Sequence, residues 1–338
     1  MKCTLEGLSL LGNAIVLVIS IVFLVAGSEF TISNSIKISD MTGFGKTTIG
    51  FVLVGFSTSL PELSVSVFAV ATPESVELSI GNVLGSNIVN IALILGMCIL
   101  IIVLKRPRYP SFLLTLAKEE MGNLQFGLFI ASIIPLALLY IGYASRFIGV
   151  FLVGIFTVYM IQLARAKRKK DASAGTSAHD TSKLRKYGLL ALAGAGIVIA
   201  TAFFIVESSS FIAESVGVPN VVIGATIVAF GTSIPEFATS VSSARKGHFD
   251  LALGNIVGSG FINTTLILGV ALIASPLTVN ITAFSNLAMF SLIINLFLWY
   301  FLGTERMSWR EGVLLLSLYA LFLLISLGGI TITPSLNG

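Results

Sequence analysis

The chain alternates long apolar runs with polar breaks. Each run holds about 20 residues or more, enough to cross a bilayer core of roughly 30 Å as a helix. The runs fall at roughly 8–30, 47–71, 78–103, 124–143, 147–165, 187–212, 218–243, 251–275, 280–302 and 311–332. This pattern predicts an all-α polytopic membrane protein with ten transmembrane helices. After the third run comes a Pro-containing connection, KRPRYPSFLLTLAKEEMGN. After the fifth comes RAKRKKDASAGTSAHDTSKLRK, the one long hydrophilic segment, which reads as a flexible linker. It divides the chain into residues 1–164, a basic linker at 165–186 and residues 187–338, with five runs on each side.

Composition agrees with this reading. Of 338 residues, 55% are hydrophobic and only 11% charged, against about 25% charged in soluble domains. The net charge of +4 is not a nucleic-acid signal, because the basic residues gather in the breaks. Lys and Arg concentrate in cytoplasmic loops. The linker alone carries Arg165, Lys167, Arg168, Lys169, Lys170, Lys183, Arg185 and Lys186. With that loop inside, ten spans put both termini outside. The other inside loops then hold Lys37, Lys46, Lys105, Arg106, Arg108, Lys118, Arg245, Lys246, Arg306 and Arg310. Only Lys2 and Arg146 remain outside, so 18 of the 20 basic residues fall on one side. A wrong span count would scramble that split. The expected setting is a cell membrane, with the bilayer as surroundings and neither a nucleic acid nor an obligatory protein partner.

Cys3 and Cys98 form no metal or redox motif. Cys98 is expected to pack as a small apolar residue. The first run lacks a small-residue cleavage signature and reads as a retained helix.

The chain repeats itself. GFSTSLPELSVS (55–66) returns as AFGTSIPEFATS (229–240), offset by 174. GNVLGSNIVNIALILG (81–96) returns as GNIVGSGFINTTLILG (254–269), offset by 173. Two motifs in one order at one spacing are a duplication. The copies lie on spans two and three and on spans seven and eight. An odd number of spans separates equivalents, so the copies cross the membrane in opposite directions. Inverted repeats with interrupted helices are the pattern of secondary transporters with a mid-membrane site.

The motifs carry the chemistry. An acid at a helix centre in the bilayer costs about 2.5–3.5 kcal/mol on insertion scales, so it faces an interior cavity and is functional by default. Glu62 is such an acid, and Glu236 is its equivalent. Proline has no N–H to give the carbonyl four residues back. Pro61 and Pro235 thereby free the carbonyls of Ser57 and Gly231, which suits an unwound, carbonyl-lined ion site better than a simple kink. Thr58, Ser59 and Ser66 lie within a turn of Glu62, as Thr232, Ser233 and Ser240 do of Glu236. Ser86 and Asn90, and likewise Ser259 and Asn263, are four apart on the partner spans. Ser66, Ser240, Asn87 and Thr264 are expected to be interhelical packing groups. The pairs Gly81/Gly85 and Gly254/Gly258 are expected to bring the asparagine-bearing spans against the glutamate-bearing ones. GNVLG lacks the lysine of a phosphate loop.

The polar set is carboxylate, amide, hydroxyl and carbonyl oxygen without His or Cys. Such hard donors suit Ca²⁺, Na⁺ or Mg²⁺ rather than zinc or copper, and a shell rich in protein oxygens leans towards Ca²⁺. His179 and His248 fall in predicted loops, so no enzymatic constellation is expected in the membrane. No cofactor is expected either: Ca²⁺ and Na⁺ enter as transported ions.

At STSLPE (57–62) with GNVLGSNIVN (81–90), and GTSIPE (231–236) with GNIVGSGFIN (254–263), the chain resembles the cation/calcium antiporter superfamily, specifically the prokaryotic sodium/calcium exchangers. The resemblance covers essentially the whole chain. It implies that Glu62 and Glu236 are the central calcium-binding glutamates and that Thr58 and Thr232 give calcium a backbone oxygen. It implies that Ser59, Ser233, Ser86 and Ser259 serve flanking sodium sites, with the carbonyls of Gly55 and Ala229. Asn90 matches the asparagine of the first repeat. Sodium-coupled members often carry aspartate where this chain has Asn263, and the first repeat has Ser57 where the second has Gly231. The expected function is Ca²⁺/Na⁺ antiport. Proton- or potassium-coupled antiport is the alternative within transport, and a passive cation channel is the alternative outside it.

Overall fold

A computed structural model describes residues 8–42, 58–70, 76–105, 118–171, 181–245, 249–275, 277–278, 281–304 and 308–328. Gly55, Ser57, Cys3, both histidines and the basic residues Lys2, Lys46, Arg106, Arg108, Lys246 and Arg306 lie outside the described residues.

The described chain is helical. α1 (Leu10–Thr42) is followed by α2 (Leu60–Ala69). α3 (Val76–Ile88) runs through a π-helical stretch, Val89–Leu95, into α4 (Gly96–Lys105). α5 (Lys118–Ile141), α6 (Arg146–Asp171) and α7 (Thr181–Val216) come next. α8 (Asn220–Ile223), a π-helical stretch Gly224–Val228, and α9 (Ala229–Thr232) form one rod. It bends by 47° into α10 (Ile234–Arg245). α11 (Phe249–Ile262), a π-helical stretch Asn263–Ile267, and α12 (Leu268–Ala274) form another. α13 (Ile281–Thr304) and α14 (Trp309–Gly328) close the described order. Two short strands, β1 (Tyr143–Ala144) and β2 (Leu277–Thr278), pair antiparallel.

Among the described residues, seven stretches are long and apolar enough to cross a membrane: Leu10–Thr31, Val76–Leu104, Leu124–Ile141, Arg185–Val216, Ala252–Ala274, Phe284–Gly303 and Trp309–Leu327. The bent rod of α8–α10 counts as an eighth. This matches the ten expected spans only in part. The first half of the expected span 47–71 lies outside the described residues, leaving the short α2. The apolar part of α6, Arg146–Gln162, is also short because RAKRKK begins just beyond it.

The basic linker differs from expectation as well. Residues 165–171 continue α6 as helix and 181–186 begin α7. Ala, Lys, Arg and Gln are strong helix formers, and cations favour a helix C-terminus. Only 172–180 lie outside the described residues.

Large apolar side chains cover the outer surface, among them Leu11, Val18, Phe147, Phe151, Leu192 and Leu324. Inside, one apolar cluster joins residues of α3–α6 and α8–α14. A second joins α1, α2 and α7 with Leu78, Ile223 and Val228. α1 lies along α7. Their approach is set by Gly27, where a Cβ would come within 2.9 Å of Ile197, and by Gly194, where one would strike the Thr31 hydroxyl. Cys98 is fully buried in the larger cluster, as expected.

α3 and α8 meet more closely still. A Cβ on Gly81 would overlap the Val221 carbonyl, and one on Gly85 would overlap the backbone of Ala225. From the other side, a Cβ on Gly224 would overlap the Leu78 carbonyl. The asparagine-bearing helix of one repeat thus lies backbone to backbone on the glutamate-bearing rod of the other. In the second repeat, Gly254 meets no described neighbour within 4 Å of a Cβ position.

Candidate cation site

The site grows from two helix breaks. Ser233 has φ −85° and ψ 4°, and Ser59 has φ −82° and ψ 4°. Each break falls two residues before its proline. Pro61 occupies the first turn of α2, where a missing N–H costs nothing. Pro235 stands in the same place in α10. Glu62 and Glu236 follow in the first turns of these half-helices, where the helix dipole favours negative charge. The backbone carries some hydrogen bonds across the break: Ser233 N donates to the Ala229 carbonyl at 3.0 Å, and Phe237 N to the Ser233 carbonyl at 3.0 Å.

The predicted residues that are described are buried: Thr58, Ser59, Glu62, Ser86, Asn90, Ala229, Thr232, Ser233, Glu236, Ser259 and Asn263 are each at most 2% exposed. Gly55 lies outside the described residues. The two repeats interlock around the acids. Ser233 Oγ of the second repeat donates to Glu62 Oε1 at 3.2 Å. Ser259 Oγ donates to Glu236 Oε1 at 3.5 Å, and Thr58 Oγ1 of the first repeat lies 3.5 Å from Ser259 Oγ. Among the described residues, Glu62 Oε2 and Glu236 Oε2 have no hydrogen-bond partner.

Other predicted residues stand less directly in this cluster. Among the described residues, neither the Ser86 hydroxyl nor that of Ser59 has a hydrogen-bond partner. Asn263 Nδ2 donates to Asn87 Oδ1 across the repeats at 3.4 Å. Asn263 Oδ1 and both polar atoms of Asn90 have no hydrogen-bond partner among the described residues. Asn90 and Asn263 sit at matching places, within or at the start of π-helical stretches. Such stretches recur at functional sites because the wider turn leaves a helix position irregular.

Asn82 and Asn255, both in the quoted motifs, received no role from sequence. Asn82 Nδ2 lies 3.4 Å from the Glu62 carbonyl and 3.5 Å from Ser66 Oγ, and donates towards both. Its Oδ1 accepts from Thr232 Oγ1 of the other repeat at 3.1 Å. Asn255 mirrors it, donating to Ser240 Oγ at 3.0 Å and accepting from Thr58 Oγ1 at 3.3 Å. The available signal was an amide after the first glycine in both copies. Ser66, Ser240 and Asn87 accept packing hydrogen bonds, as expected, and Thr264 bonds back to the Gly260 carbonyl at 2.9 Å.

Two buried carboxylates with free oxygens are costly unless charge and hydrogen bonds compensate them. No group of three or more His, Cys, Asp or Glu gathers among the described residues. A cation here would complete its shell from hydroxyl, amide and backbone oxygens, the donor set of hard ions.

The comparisons with known proteins agree with this chemistry. Residues 12–164 and 186–328 match the family described as sodium/calcium exchanger protein. Sodium/calcium exchanger MaX1 of Methanosarcina acetivorans is 33% identical over 357 residues, covering 93% of this chain and 98% of that protein. The solved sodium-calcium exchanger NCX_Mj, soaked with 2.5 mM Na⁺ and 10 mM Sr²⁺, superposes with a TM-score of 0.64 at 25% identity, covering 93% and 98% of the two chains. The H⁺/Ca²⁺ exchanger CAX superposes with a TM-score of 0.73 at 17% identity, covering 94% and 87%. That last likeness is one of fold alone.

Proposed function

This chain belongs to the sodium/calcium exchanger family, and on that premise we propose that it is a secondary active antiporter exchanging Ca²⁺ for Na⁺ by alternating access. It is a multi-pass membrane protein of a transporter family. The observation that carries the ion assignment is the pair Glu62 and Glu236, buried, from opposite repeats, each with one carboxylate oxygen that has no partner among the described residues.

In this reading the two glutamates hold calcium, with backbone oxygens of Thr58 and Thr232. Ser59, Ser233, Ser86 and Ser259 flank them as sodium ligands, with the carbonyls of Gly55 and Ala229. Asn90 and Asn263 complete the polar lining at mid-membrane. Residues 1–164 and 187–338 are inverted five-helix repeats, with 165–186 cytoplasmic and both termini outside. Alternating access follows from that inversion, because one bound ion faces two structurally equivalent halves.

A second reading is proton-coupled calcium exchange. It rests on the same unpartnered oxygens, Glu62 Oε2 and Glu236 Oε2, which a proton can occupy in place of Na⁺. Uptake of radioactive calcium into proteoliposomes separates the two. An outward Na⁺ gradient is expected to drive uptake, whereas a pH or K⁺ gradient alone is not. Uptake driven by pH and indifferent to Na⁺ overturns the sodium reading. Uptake that only follows calcium's own gradient is a channel's behaviour and overturns both.

A further inference from the structure

Thr232 has one hydroxyl proton, and the two acceptors within hydrogen-bond geometry compete for it. Asn82 Oδ1 lies 3.1 Å from Thr232 Oγ1 and the Ala229 carbonyl 3.3 Å from it. The Ala229 carbonyl has two lone pairs. One is taken by Ser233 N at 3.0 Å. The second goes either to the Thr232 hydroxyl or to another guest. All these groups are buried, Asn82 and Ala229 completely so. No bulk water competes for the proton, and its destination is settled among protein atoms.

We propose that Asn82 is a positioning residue of the cation site: by accepting the Thr232 proton it keeps the second lone pair of the Ala229 carbonyl open to a cation. This rests on the reading above, in which that carbonyl serves a sodium site. Asn82 is well placed for the task. Its Nδ2 is oriented by the Glu62 carbonyl and Ser66 Oγ in its own repeat. An amide so held presents Oδ1, not Nδ2, to Thr232. Its helix is pinned on the opposing rod at Gly81 and Gly85, so the amide has little freedom to retreat. Removing Asn82 takes away the nearer of these two partners and leaves the Ala229 carbonyl at 3.3 Å, in the manner of a helical Thr that bonds back to its own turn. The pair Thr58 and Asn255 repeats the geometry in mirror image.

The test is Asn82→Ala, with Thr232→Val and the double variant, in the purified full chain. Thermal stabilisation is titrated with Na⁺ and with Ca²⁺ separately, and the half-saturating concentration of each is obtained from the logarithmic rise, because a ligand that binds only the folded state stabilises it by RT ln(1 + [L]/Kd). In N82A the half-saturating Na⁺ concentration is expected to rise about tenfold, the equivalent of one typical net hydrogen bond. That for Ca²⁺ is expected to change by about threefold or less. A merely structural defect weakens both ions alike, and that result overturns the proposal. Thr232→Val deletes the competing proton and keeps the backbone carbonyl. In that background Asn82→Ala is expected to add no further loss of Na⁺ affinity. An undiminished tenfold loss there also overturns the proposal. A wild-type chain that Na⁺ does not stabilise overturns the sodium reading and this inference with it. A wild type that responds, beside an N82A variant with the same Na⁺ midpoint, overturns this inference alone.

Discussion

Glutamine in place of Glu62 or Glu236 keeps the shape of the side chain and removes one buried negative charge. It also turns one carboxylate oxygen into a donor that repels a cation. Each of E62Q and E236Q is expected to abolish calcium uptake in proteoliposomes while the protein still elutes as a folded, monodisperse species. Normal exchange by both variants would falsify the site assignment. Ser233→Ala is a milder change. It deletes the donor to Glu62 Oε1, a hydrogen bond to a charged group worth about 1.5–3 kcal/mol. Half-saturating calcium is therefore expected to rise by tenfold or more, measured by uptake against calcium concentration. Asn263→Asp acts through charge. It adds a third buried acid and replaces the amide that donates to Asn87 Oδ1. Two oxygens then face each other unless a proton lies between them, so calcium uptake is expected to become pH-dependent in the variant. An N263D profile that overlays the wild type across neutral pH removes the argument from charge.

At the scale of elements, glycine decides how closely α3 and α8 approach. Gly85→Ala gains about 1 kcal/mol of helix propensity. It also drives a Cβ into the backbone of Ala225, which cannot swing away as a side chain would. Overpacking costs about 1–3 kcal/mol in ordinary cores, and this contact lies at the upper end. The expected result is a lower melting temperature in detergent. Gly154→Ala, on α6 with no neighbour within 4 Å, is expected to leave it unchanged or raise it. An unaltered melting temperature in G85A would mean that the two helices separate at little cost. These elements were only partly legible in the sequence. Duplicated proline and glutamate announced two interrupted helices, because a proline cannot continue the hydrogen-bond ladder. The position of the break was not legible. It falls at Ser59 and Ser233, since a proline is tolerated in a first turn and the irregular residue precedes it. The π-helical stretches at Asn90 and Asn263 were also hidden, because residue type does not mark where one extra residue enters a helical turn. Nor did Asn82 and Asn255 stand out, since an amide reads as packing until its partner on the other repeat is known.

The whole molecule is constrained by charge. Glu62 and Glu236 bring a formal −2 to the interior, and Asn263 adds nothing where an aspartate would add a third charge. One Ca²⁺ neutralises that pair, and so do two Na⁺. A third Na⁺ would leave a net positive charge in a desolvated cluster, at a cost of several kcal/mol. Exchange of two Na⁺ for one Ca²⁺ is therefore the expected stoichiometry, and such a cycle moves no net charge across the bilayer. The membrane potential then does no work on it. An exchanger that moved one net charge per cycle would gain about 2.3 kcal/mol per 100 mV, which shifts the calcium ratio at equilibrium about fifty-fold. Proteoliposomes with a fixed Na⁺ gradient and a potential clamped by K⁺ and valinomycin discriminate the two. The calcium ratio is expected to stay the same when the potential is set to zero or to 100 mV of either sign. A shift of the order of fifty-fold would require a third cation in the cycle. The two glutamates would then be only part of the charge that the repeats enclose.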